Sequence, residues 1–183
     1  MSTETRRSSS KQIQCMVLCA ILIALSIGLN QIKLFKMPLG GSVTLFSMLA
    51  GTLCGYFCGP RWGILSGLAL GLLNIAIGGY IVHPVQVLLD YILAFAALGV
   101  SGFFNKQKNG LFTGYIVAIL LKYLCSFLSG FIFWKEYTPE GWNPVLYSAA
   151  YNILYIGAEG IMTVILLIFT KKVFENLRRK FLG

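Results

Sequence analysis

Six apolar stretches, at roughly 12–30, 43–58, 61–78, 84–104, 111–134 and 145–171, fill most of this 183-residue chain. Each approaches the length a helix needs to cross a bilayer. Charged residues make up only 11% of the chain and the mean hydropathy is +0.76. A soluble domain would carry roughly a quarter, so too few charges remain for a water-facing surface. The expected fold is an all-α integral membrane protein, a compact bundle of six transmembrane helices. Residues 1–11 are expected to form a short, disordered cytoplasmic tail, 12–171 the membrane domain and 172–183 a basic cytoplasmic tail. The first apolar run is as long as a spanning helix and no small-x-small cleavage site follows it, so it reads as a helix rather than a leader.

Six crossings place both ends on one side. Taking that side as cytoplasmic puts eleven Lys/Arg inside, at the two ends and at Arg61, Lys106 and Lys108. Three remain outside, Lys33, Lys36 and Lys135. That asymmetry orients the chain with cytoplasmic termini. It also explains the net charge of +9 without nucleic acid. The five cysteines and single histidine form no zinc spacing, and the cysteines read as small hydrophobes.

Gly51, Gly55, Gly59, Gly63, Gly67 and Gly71 recur every fourth residue, a stripe that lets backbones approach closely. It reads as packing between the second and third helices. Ala20 and Ala24 form a second small pair, on the first helix.

Only Asp90, Lys122 and Glu159 are ionisable side chains set well inside the spans, where such residues face a cavity or a partner. Asp90 stands in HPVQVLLDYILAFAAL, with His83 and Gln86 on the same helical face and Tyr91 beside it. His83, next to Pro84, reads as a cap or loop residue. Lys122 reads as a structural bridge to Asp90 or Glu159, and Glu159 as structural or gating. Tyr147, Tyr151, Asn152 and Tyr155 line the start of the last helix, while Trp134 ends the fifth and Trp142 follows in the loop. A carboxylate among phenols, an amide and indoles suits a flat, cationic, heteroaromatic ligand. Trp and Tyr also gather at membrane interfaces without any ligand. No phosphate loop, HExxH motif or Ser/His/acid set is present in the sequence, which leaves an enzyme reading little to stand on.

The stretches GGSVTLFSML, GPRWGILSGLALGLL, GGYIVHPVQVLLDYILAFAALGVSG, LKYLCSFLSGFIFW and YTPEGWNPVLYSAAYN run in order over most of the chain beyond residue 40. Together they resemble the thiamine-specific S components of energy-coupling factor transporters. The resemblance implies a six-helix bundle in a bacterial cell membrane that binds thiamine near its extracellular face, with no cofactor or metal of its own. It also implies docking on a transmembrane coupling protein (the T component) driven by two ATP-binding-cassette ATPases, with Ala20 and Ala24 matching the family's docking motif. Substrate contacts carry over to Asp90 (where the family often has Glu), Tyr91, Trp134, Tyr147 and Asn152. Ser126 stands where the family has a histidine. Gln86, Lys122, Tyr151 and Glu159 are expected to be supporting or gating residues, and QIKLFKMPLGG a lid. Ala50 replaces a usual Pro, and Phe57 and Cys58 replace arginines. A thiamine precursor or another heteroaromatic vitamin is an alternative ligand, and an autonomous ion-coupled carrier an alternative class.

Overall fold

The computed structural model describes residues 3–182, with side chains described for 9–181. Helix α1 runs over Thr3–Gln31. A hairpin of β1 (Lys33–Lys36) and β2 (Ser42–Thr44) follows, then α2 (Ser47–Cys58) and α3 (Pro60–Gly78). The fourth helix, α4, spans Pro84–Phe104 and the fifth, α5, Gly110–Phe133. The sixth, α6, is α-helical over Pro144–Asn152, passes through a π-turn at Ile153–Gly157, and continues over Ala158–Leu182.

Among the described residues, five of the six helices are long and apolar enough to span a membrane; α2 is not. Its 12 residues rise only about 18 Å, against a hydrocarbon core of about 30 Å. The apolar stretch from 43 includes β2 and a turn before the helix begins. What α2 lacks in length it makes up in burial, since Ser47 through Phe57 are all buried. Leu49, Leu53, Cys54, Tyr56 and Phe57 pack there against Cys19 and Leu22 of α1, Leu111 and Tyr115 of α5, and Leu167 of α6. All five cysteines are free thiols.

Two expectations need correction. The fold is not purely α-helical, because the stretch after α1 pairs into an antiparallel hairpin with Lys33 opposite Thr44 and Lys36 opposite Ser42. Nor do residues 3–11 form a disordered tail. They continue α1, in a segment without Gly or Pro to stop the helix; residues 1–2 lie outside the described residues. At the other end, residues 172–182 remain helical, and Phe181 and Arg178 rest on Phe57 and Tyr56 of α2.

The glycine stripe packs differently from the simple pairing of α2 with α3. A Cβ on Gly55 or Gly63 would strike Gly99, and Gly63 also abuts Gly55. On Gly67 and Gly71 the Cβ would meet the α4 backbone at Phe95 and Tyr91. The stripe therefore seats α4 against α2 and α3. This fixes the height of Asp90, one residue before Tyr91. Gly67→Ala should accordingly lower the melting temperature of the detergent-solubilised protein. Its Cβ would lie 2.8 Å from the Ala96 Cα, an overpacking that costs about 1–3 kcal/mol.

Candidate functional site

The hairpin and the hairpin-side ends of the helices enclose a cavity of about 430 Å³. All ten side chains singled out as substrate-binding, supporting or gating residues line it: Asp90, Tyr91, Ser126, Trp134, Tyr147 and Asn152, together with Gln86, Lys122, Tyr151 and Glu159. Ala20 and Ala24 do not. They sit on the exposed face of α1 among Ile13, Met16, Val17, Ile21 and Leu25.

Asp90 and Tyr91 lie in a π-turn, Leu88–Leu93, a widened helical turn common at functional sites. Gln86, one turn earlier and 1% exposed, donates from Nε2 to Asp90 Oδ2 at 2.8 Å. Its Oε1 accepts from Val82 N at 3.1 Å and Nε2 also donates to Tyr80 O at 3.2 Å, so the amide's orientation is set by the backbone before the helix. Ser129 Oγ donates to the same Asp90 Oδ2 at 2.7 Å. Both bonds fall on one oxygen, and the Trp134 indole N–H lies beside the same carboxylate. Ser129 escaped the sequence reading because a serine on an apolar helix carries no signal until its neighbour across the bundle is known.

Lys122 does not bridge the carboxylates. No ion pair joins it to Asp90 or Glu159 among the described residues, and its Nζ lies 4.0 Å from the centre of the Phe95 ring. Glu159 is 2% exposed. It accepts from Thr44 N and Oγ1, from Ser47 Oγ at 3.3 Å and from Met48 N at 2.9 Å. Its oxygens are thus occupied by the protein.

Aromatic rings wall the cavity. Trp134 caps α5 and lies against Tyr80 at 5.9 Å and Tyr137 at 5.4 Å between ring centres. Tyr147, Tyr151 and Tyr155 follow one another along α6 at about 6 Å. Trp142 lies outside the cavity lining, 59% exposed, in a T-shaped arrangement with Tyr147. His83 is also outside. It caps the start of α4 by accepting from Val85 N and stacks on Phe133 at 4.9 Å.

Asn152 donates from Nδ2 to Ser148 O at 2.9 Å, while Tyr155 donates to its Oδ1 at 2.9 Å. The amide is locked, and the second lone pair of Oδ1 is its remaining capacity. Ser126 is buried beside the Tyr155 hydroxyl, a small side chain that leaves this wall open. Among the described residues no group of three or more His, Cys, Asp or Glu side chains could hold a metal. What the cavity offers is a carboxylate held at one oxygen, hydroxyls, an amide oxygen and flat aromatic faces.

A model of the family described as Thiamine transporter protein (Thia_YuaJ) matches residues 16–179. The chain belongs to this family. All ten cavity residues fall inside the matched span. Within the family's known members, the chain is 35% identical over 176 residues to the thiamine transporter ThiT of Bacillus subtilis, covering 87% of this chain and 91% of the relative. It is 29% identical over 139 residues to ThiT of Lacticaseibacillus paracasei, covering 69% and 65%. A solved structure of ThiT from Listeria monocytogenes superposes with a TM-score of 0.75 at 27% identity, covering 90% of this chain and 98% of that one. The thiamine transporter family is thus the one the sequence motifs resemble, and its members are transporters rather than enzymes.

Proposed function

We propose that this protein is the thiamine-capturing subunit of an energy-coupling factor transporter in a bacterial cell membrane. Both termini lie in the cytoplasm and the cavity opens toward the outside. The observation that carries the ligand assignment is Asp90: a cavity-lining carboxylate oriented on one oxygen by Gln86 and Ser129, beside Trp134. Such a group suits either the aminopyrimidine, by a charge-assisted hydrogen bond, or the thiazolium charge. The rings of Trp134, Tyr91 and Tyr147 supply faces for a cationic heterocycle. Asn152 offers an acceptor for an amino group.

The hairpin closes the cavity as a lid, excluding water and strengthening the contacts beneath it. Uptake would use a T component and two ATPases as partners, docked on the exposed α1 face at Ala20 and Ala24. The family's histidine position, Ser126, favours one secondary reading, a precursor or bulkier heteroaromatic in the space beside Tyr155.

Titration of the detergent-purified protein, followed by tryptophan fluorescence, tests the ligand. Saturable quenching by thiamine at nanomolar concentration, about −12 kcal/mol, is the expected result. Quenching by a precursor or another vitamin with none by thiamine would overturn the substrate. Thiamine uptake by vesicles holding this chain alone would overturn the division of labour.

A further inference from the structure

The segment joining the hairpin to α2 contains an unusual backbone. Phe46, the residue before α2, has φ 58 and ψ 24, the left-handed region that a bulky side chain rarely enters. Such conformations persist where the surroundings over-determine them. Here the surroundings are few and specific.

Glu159 accepts hydrogen bonds from both sides of Phe46: from Thr44 N and Oγ1 at the end of β2, and from Ser47 Oγ and Met48 N at the start of α2. The first turn of α2 has no side-chain cap from its own N-cap residue, so a carboxylate from another helix serves its exposed amides, where negative charge is favoured. From the opposite side, Ser26 of α1 donates to Ser47 O at 2.8 Å. The far end of the hairpin is held by α6 as well. Gly41 N donates to Tyr151 Oη at 2.8 Å, and Tyr151 donates to Pro38 O. Tyr151 and Glu159 stand two turns apart on α6, with the π-turn between them.

We infer that Glu159 is a positioning residue that holds the hairpin over the cavity by clamping its hinge at 44–48. Tyr151 holds the turn of the same hairpin and Ser26 ties the hinge to α1. The hairpin is then closed by α6 at both of its ends. Ser26, which donates to the hinge, lies about half a turn beyond Ala24 on the helix whose outer face carries Ala20 and Ala24. Movement of α1 relative to α6 would pull the hinge between Ser26 and Glu159, both at the cavity's border, and release the lid. The inference rests on the reading of the cavity as a lidded ligand site, not on which ligand fills it.

The test is backbone hydrogen exchange by mass spectrometry on the ligand-free, full-length protein in detergent, paired with the dissociation rate of labelled thiamine. In Glu159→Gln, which keeps the shape but presents an amide N–H₂ to donors, peptides covering 33–50 should exchange at least ~10-fold faster. Peptides of α5 should be unchanged and thiamine should leave about 10-fold faster. Thr44→Val should act in the same direction and Thr44→Ser should restore wild-type exchange, because only the hydroxyl is at issue. Should Glu159→Gln fail to fold, Thr44→Val and Ser26→Ala remove bonds of the same clamp without stranding a buried group. Unchanged exchange at 33–50, or equal acceleration in every helix, would overturn the proposal. Exchange is measured without ligand, so a wrong ligand assignment would show as absent thiamine binding with the exchange effect intact.

Discussion

Replacing Asp90 with Asn is expected to weaken thiamine binding by roughly 30- to 4,000-fold. Loss of one partner from a desolvated, hydrogen-bonded charge pair costs about 2–5 kcal/mol, and each 1.4 kcal/mol is tenfold in affinity. The ligand-free protein should tolerate the change. An amide oxygen at the same place can still accept from Gln86 Nε2 and Ser129 Oγ, the two donors that hold Oδ2. Removing a buried charge also relieves its desolvation. The two effects separate cleanly: affinity measured by fluorescence titration should collapse while the melting temperature moves by only a few degrees. Binding of the variant within threefold of wild type would mean that the ligand's charge or amino group is read elsewhere.

Trp134→Ala should produce the second large effect, a loss of roughly 30-fold or more in thiamine affinity. Aromatic contacts contribute about 0.5–1.5 kcal/mol beyond their buried area, and a cation over an indole face about 0.5–2 kcal/mol. The truncation also loosens the wall, since Tyr80 and Tyr137 both rest on this ring. Trp134→Phe should recover part of the affinity, because a smaller face remains in place. It should recover none of the fluorescence response. Of the three tryptophans, Trp62 packs against the core cluster and Trp142 is exposed outside the cavity, which leaves Trp134 as the reporter. A Trp134→Phe variant that still quenches on adding thiamine would place the ligand near another indole.

The membrane helices were legible because hydrocarbon imposes one rule on every segment, and charged groups in apolar runs were conspicuous; Ser126, like Ser129 a serine on an apolar helix, came into view only through the family resemblance. Asp90 and Glu159 announce themselves in this way. What each of them does is not legible, since it depends on neighbours distant in the chain. Glu159 meets Thr44 and Met48 across more than a hundred residues, and nothing in its own helix distinguishes it from Asp90. Lys122 looked like a bridge because opposite charges were the only visible partners, whereas a phenylalanine face turned out to be nearer. The hairpin was hidden by its brevity: four and three residues of strand carry too little pattern to separate from a loop. The glycine stripe gave close packing correctly but not the identity of the third helix that it seats.

The two π-turns, at Leu88–Leu93 and Ile153–Gly157, have a consequence beyond the cavity they border. Each amounts to one extra residue in a helical turn. It rotates the segment on its hairpin side by about 100° relative to the remainder, from the 3.6-residue helical period. Both helices therefore contain a phase shift at the same level of the bundle. Deleting one residue there would turn Gln86, or Tyr147 and Tyr151, away from the ligand while the packing of Leu98 or Leu167 stayed in register. The cavity-lining half can thus change phase without re-phasing the half that packs the core.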